Sequence, residues 1–132
     1  RRAAFAQAED QLAKMNSYKS PRDKIVCVLN CCKVIYATMN SINKSESTGD
    51  AGADDFLPLL IYTAVRSRVP NLLANVTYIR RFRSPAMMMT EAGYYFTNLE
   101  SAIRFIQMAN SSHFTILESE WKQNMSSDDF QE

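Results

Sequence analysis

Only three of the 132 residues are glycine and four are proline, and because either type interrupts a helix wherever it falls inside one, their scarcity predicts long helices. No stretch shows the apolar and polar alternation of a half-buried strand, and no repeat or low-complexity block is present. The expected architecture is therefore all-α, a layered domain of about six helices. Hydrophobic residues make up 46% of the chain, enough for one sizeable core in a chain of single-domain length.

Charge narrows the classes of partner. Fifteen Lys and Arg against fourteen Asp and Glu leave a formal charge of +1, too balanced for affinity that rests on counterion release from nucleic acid. No apolar run approaches the roughly 20 residues that a bilayer span needs, and the arginine-rich start has no apolar stretch behind it to form a signal peptide. Cys27, Cys31 and Cys32 lie too close together for a disulfide framework and read as small apolar residues on a helix in a reducing compartment. His113 is the sole histidine, so a zinc site or a histidine-based triad lacks partners at usable spacing. No glycine-rich phosphate loop is present, and no cofactor or nucleotide of the chain's own is expected.

Helix boundaries follow from local chemistry. Phe5, Ala8, Leu12 and Met15 share one helical face from the first turns, as in a piece of a longer chain. Ser20, Pro21 and Asp23 mark the next start, with a capping hydroxyl, a proline in the first helical position and a carboxylate near the positive end of the dipole. That second helix is expected to run to about Ile42. Its stripe of Ile25, Val28, Leu29, Cys32, Ile35, Tyr36 and Met39, flanked by Val26, Cys31 and Val34, predicts a central helix covered on more than one side. Asn43 to Ala53 reads as the longest loop.

Pro58 lacks a backbone donor, which places it in the first turn of a third helix with Asp55 as the N-cap and Asp54 just outside. This helix, reaching about Ser67, carries more apolar surface than one core face requires. A fourth helix shows Leu72, Val76 and Ile79 in register, and a fifth repeats Tyr95, Leu99, Ala102 and Ile106, leaving Tyr94 and Thr97 on another face. Leu117, Trp121 and Met125 predict a last short helix. Residues 1–125 are then the domain and 126–132 a polar tail.

Three segments carry a family resemblance: Gly52-Ala-Asp-Asp-Phe-Leu-Pro-Leu-Leu-Ile-Tyr62, Asn75-Val-Thr-Tyr-Ile-Arg-Arg-Phe82 and Glu91-Ala-Gly-Tyr-Tyr-Phe-Thr-Asn-Leu99. Together with Tyr18-Lys-Ser-Pro-Arg-Asp-Lys-Ile25 they resemble the Vps-nine domain of exchange factors for Rab-five-type GTPases, of the Rabex class, over roughly residues 7 to 125. Arg68-Val69-Pro70 stands where that family often has an Asn-Pro-Pro turn. The resemblance implies a guanine-nucleotide exchange factor with a small GTPase of the Rab-five class as partner. It would act as a monomer in the cytoplasm, recruited peripherally to endosomal membranes, and make no covalent chemistry.

The aspartate that the family carries four residues before its motif proline corresponds to Asp54, and its tyrosine and threonine correspond to Tyr94 and Thr97. The resemblance thus implies a catalytic Asp54 and a switch-binding groove of Phe56, Pro58, Leu60, Ala64, Tyr94 and Thr97, with Phe56, Leu60 and Ala64 expected at the surface. Plain readings stay open. Asp54 could simply favour the helix dipole, Tyr94 and Thr97 could pack or cap locally, and the apolar residues of the third helix could be ordinary core. Arg66, Arg68, Arg80, Arg81 and Arg83 read either as a solvated face or as a contact for an acidic partner or phosphoinositide. A Rab-binding helical adaptor without exchange activity is the alternative function.

Overall fold

The structure, a computed structural model, describes the backbone of residues 2–46 and 53–109, and the side chains of residues 5–41 and 55–109. Within these residues the chain is all helical: α1 (Arg2–Ala13), α2 (Pro21–Glu46), α3 (Ala53–Ser67), α4 (Leu72–Phe82) and α5 (Glu91–Ala109), with short 3-10 turns at Lys14–Ser17 and Ala86–Met89. The expected last helix through Leu117 and Trp121, the tail and His113 lie outside the described residues.

α2 begins as its sequence dictates. Pro21 is its first residue, Asp23 sits in its first turn, and the Asp23 backbone N–H donates to Ser20 Oγ at 3.0 Å. The cap satisfies one of the orphan donors of the first turn, and the proline has no donor to orphan. From there Ile25, Val28, Cys31, Cys32, Ile35 and Met39 are all buried. α2 packs against each of the other four helices, which makes it the central element. Fully burying aliphatic side chains of this kind contributes about 1.5–3 kcal/mol each. Val26, grouped above with the flank, instead faces solvent. The helix also outlasts its expected end at Ile42 and reaches Glu46, because Asn43 to Glu46 are polar but contain no residue that breaks a helix.

α1 and the turn after it close one side through Phe5, Ala8, Leu12 and Met15, all buried, with the Phe5 ring edge-on to Tyr62 of α3. The corner from α3 to α4 is tight. Arg68 and Asn71 adopt left-handed φ values of 49° and 61°, a conformation that asparagine tolerates better than arginine, and Val69 between them is buried.

The three cysteines are free and buried. Burial pushes the Cys31 thiol up to about 12, with the Glu9 charge adding to the effect, and drives Cys32 above the ordinary thiol range. A thiol that stays protonated only in the folded state stabilises the fold below its unfolded pKa near 9. That contribution is lost as pH rises towards the folded value, because the unfolded chain releases the proton first. Stability should therefore fall between about pH 9 and 12. At pH 8 a thiol reagent should label Cys31 and Cys32 slowly in the native chain and rapidly in urea; equal rates would contradict the buried placement.

Candidate functional site

Three aromatic rings tie α2, α3 and α5 together near the N-terminal ends of α3 and α5. Tyr36 of α2 stacks on Phe56 of α3, with centroids 4.3 Å apart and planes at 10°. Tyr95 of α5 leans on both rings at 5.8 Å. Phe56 is two residues after Asp54, and Tyr95 directly follows Tyr94. The cluster therefore sets the first turns of α3 and α5 side by side.

Tyr94 turns outward from this cluster. It is 53% exposed, its ring lies edge-on to Tyr95 at 5.4 Å, and its hydroxyl lies near that of Tyr36. Burial raises the Tyr36 pKa, and the neighbouring Tyr94 phenol adds to the shift. Burial likewise pushes Tyr95 up to about 12, helped by the Glu91 carboxylate. Both inner phenols thus stay neutral to higher pH than a free tyrosine. Thr97 is exposed one turn after Tyr94. Its hydroxyl donates to the Gly93 carbonyl at 3.1 Å, leaving the oxygen's lone pairs available to a donor from outside.

The start of α5 is fixed by close contact. The Gly93 N–H donates to Thr90 Oγ1 at 3.2 Å, and a Cβ at Gly93 would lie 2.6 Å from Met87 O and from Met88 Cα. Only glycine lets α5 lie this close to the 3-10 turn before it.

α3 departs from its expected start. It begins at Ala53 and contains Pro58 in its interior, so Asp54 lies in its first turn, not outside it, and Asp55 is no N-cap. A proline at the sixth helical residue removes a single intrahelical bond, the one to the Asp54 carbonyl, which is a smaller loss than at a helix centre. The Asp54 side chain lies outside the described groups.

The expected exposure of Phe56, Leu60 and Ala64 is overturned, for these residues are 2%, 0% and 4% exposed. Their four-residue spacing does put them on one face, but α1, α2 and α5 all cover α3 and bury that face. The surplus apolar surface lies elsewhere: Pro58, Leu57 and Leu59 are half-buried and Val65 is exposed. Tyr36 was read only as part of a core stripe. No local signal sets it apart, because its stacking on Phe56 depends on how α2 meets α3.

Of the basic residues, Arg80 is bonded to Glu100 of α5, and Arg66 lies 5.9 Å from the Tyr62 ring centroid. Arg80 therefore ties α4 to α5 and Arg66 lies along its own helix, while Arg68 and Arg81 face solvent. Among the described residues no group of three His, Cys, Asp or Glu side chains could hold a metal ion, and no helix is long and apolar enough to cross a membrane.

Residues 5–111 match the family model described as the Vacuolar sorting protein 9 (VPS9) domain. The chain is 42% identical over 125 residues to "Vacuolar protein sorting-associated protein 9A" of Arabidopsis thaliana, covering 95% of this chain and 24% of that protein. It is 43% identical over 117 residues to "Vacuolar protein sorting-associated protein vps901" of Schizosaccharomyces pombe, covering 89% of this chain and 20% of the relative. It is also 39% identical over 121 residues to the "Rab5 GDP/GTP exchange factor" of Homo sapiens, covering 91% of this chain and 24% of that protein. The chain thus spans a quarter or less of the length of each of these relatives.

Proposed function

The chain belongs to the VPS9 domain family, and we propose that it releases GDP from a small GTPase of the Rab5 kind, with Asp54 as the catalytic group and Tyr94 and Thr97 as partner contacts. Membership of this family, with a relative named for Rab5 GDP/GTP exchange, is the observation that carries the reading. The packing of Phe56 against Tyr95, which puts the first turn of α3 beside exposed Tyr94, supports the roles of these residues. The reaction makes and breaks no covalent bond, and its substrate is a protein. It would take place on endosomal membranes that the parent protein reaches peripherally.

A GTPase holds its nucleotide through a magnesium ion and a lysine that faces the phosphates. When GDP leaves, that lysine loses its counter-charge. A carboxylate delivered from the start of α3 replaces the charge, competes with the phosphates and disturbs the metal, so the empty state becomes easier to reach. Two unit charges about 4 Å apart interact by about 4 kcal/mol at an effective dielectric near 20, before desolvation is subtracted. Tyr94 and Thr97 present a ring, a hydroxyl and an acceptor oxygen to the displaced backbone of the GTPase, and half-buried Pro58 borders the same surface. Phe56, Leu60 and Ala64 act from beneath it, as the floor that holds α3 against α5.

Tyr36 is the positioning residue of this surface, since its ring stacks on Phe56 and leans on Tyr95 while its hydroxyl faces Tyr94. Tyr36→Phe keeps the stack and removes the hydroxyl that faces Tyr94, a polar contact worth about 0.5–1.5 kcal/mol. Exchange should slow by about two- to tenfold while the unfolding midpoint barely moves; unchanged exchange would remove Tyr36 from the site. The proposal as a whole is tested by release of fluorescent GDP from a panel of endosomal GTPases. Acceleration is expected for those of the Rab5 kind, and binding without acceleration would make the domain an adaptor instead.

A further inference from the structure

On a different face from the exchange surface, the start of α2, the Lys14–Ser17 turn and α4 enclose an open cleft of about 380 Å³, bordered by Asn16, Lys19, Lys24, Asn75 and Tyr78. We propose that this cleft docks an acidic side chain of a partner polypeptide, whose carboxylate meets the Lys24 ammonium.

Lys24 carries the argument. It is only 8% exposed, and its Nζ donates to the Met15 carbonyl at 2.9 Å and to Asn75 Oδ1 at 2.7 Å. Both acceptors are neutral. An ammonium has three hydrogens, and beyond these two bonds its described neighbour is the Tyr78 ring, 5.9 Å away. No carboxylate among the described residues pairs with it. A cation removed from water is normally matched by an opposite charge, so the cleft has a charge and a hydrogen-bond donor to offer.

The neighbouring amides define the ligand further. Asn75 Nδ2 donates to Asn16 Oδ1 at 2.9 Å and to the Asn71 carbonyl at 3.0 Å, while Asn16 Nδ2 donates to the Pro70 carbonyl at 2.9 Å. These bonds aim Asn75 Oδ1 at Lys24 and use both hydrogens of the Asn75 amide. The third ammonium hydrogen of Lys24 remains, with the exposed Lys19 ammonium on the rim, and a single buried cation suits a singly charged carboxylate. A phosphate dianion would leave one of its charges without a buried partner.

The cleft opens onto α4, where Ala74, Tyr78 and Phe82 follow one another at four-residue spacing along one face. Tyr78 is held in place by its hydroxyl, which donates to the Lys19 carbonyl at 2.9 Å. Phe82 is 62% exposed, and its ring lies 5.2 Å from that of Tyr78. An apolar track leading out of a cationic cleft fits a peptide that carries an apolar residue beside its acid better than it fits a small free acid. Lys24 lies twelve residues before Tyr36, about 18 Å along α2, so the two surfaces can be occupied independently.

The test is selection of the chain against an immobilised array of random nine-residue peptides, capped at both ends and including phosphoserine as a building block. Peptides with a glutamate or aspartate flanked by apolar residues should be enriched. The affinity of the leading peptide should fall by about tenfold when its acid is changed to the amide, as expected for loss of a charge-assisted bond. Lys24→Met should weaken binding to a similar extent, but that variant also breaks the internal network. Phe82→Ala does not, and should weaken binding several-fold without shifting the unfolding midpoint or the rate of GDP release. Enrichment of phosphoserine peptides, no preference for acids, or indifference to the acid-to-amide change and to Phe82→Ala would overturn the proposal.

Discussion

Asp54→Ala is expected to slow GDP release from the partner GTPase by about a hundredfold, the equivalent of about 3 kcal/mol. That is most of the charge–charge attraction available to a carboxylate near the phosphate-facing lysine, less the cost of taking both groups out of water. The same substitution should hardly affect the domain itself. A carboxylate in the first turn of a helix is worth about 0.3–1 kcal/mol through the dipole, so the unfolding midpoint should drop slightly at most. The comparison separates the two roles open to this residue. If melting and release fell together by small amounts, Asp54 would be a helix-start carboxylate and nothing more. Measuring both on one preparation, by fluorescent GDP release and by circular dichroism, decides between them.

Gly93→Ala should destabilise the domain, although the same change in an ordinary helix interior stabilises by roughly 1 kcal/mol. The added Cβ would meet Met87 O and Met88 Cα at 2.6 Å and Met88 C at 2.7 Å. These are backbone atoms, so no side-chain rotation relieves the overlap, and the 86–89 turn must move away from α5. Overpacking of this kind costs about 1–3 kcal/mol, or several degrees in the melting midpoint. The displaced segment includes Thr90, which caps the turn leading to Tyr94, so exchange should fall with stability. A variant as stable as the parent would show that α5 does not approach the turn this closely.

The elements that sequence reasoning placed well are those set by neighbouring residues. Ser20, Pro21 and Asp23 specify the start of α2 through chemistry contained within four positions, and the structure has the cap as expected. The stripe through Tyr95 likewise put Tyr94 and Thr97 on an outer face, where they are exposed. The start of α3 was misplaced because the proline rule concerns one hydrogen bond. Burying Phe56 and Leu60 outweighs that bond and carries the helix back to Ala53.

The faces of α3 show a second limit. Spacing reveals that Phe56, Leu60 and Ala64 share a side, but not which neighbour covers it, and in this fold three helices do. Contacts between distant segments left no local trace at all. Lys24 meets Asn75 across 51 positions, and Tyr36 reaches Tyr94 from another helix. Both tyrosines and the lysine were legible as residues, while their pairings were legible only in the fold.

The most direct test of the proposed exchange activity compares how tightly the domain binds its GTPase empty and loaded with GDP. Binding of two ligands to one protein is coupled reciprocally, so a domain that expels GDP must prefer the empty form by the same factor by which it weakens the nucleotide. Calorimetric titration should give an affinity for nucleotide-free GTPase at least about a hundredfold above that for the GDP form, with the ratio shrinking markedly for Asp54→Asn. Equal affinity for the two forms would contradict the account, because such a domain could hold the GTPase but could not empty it.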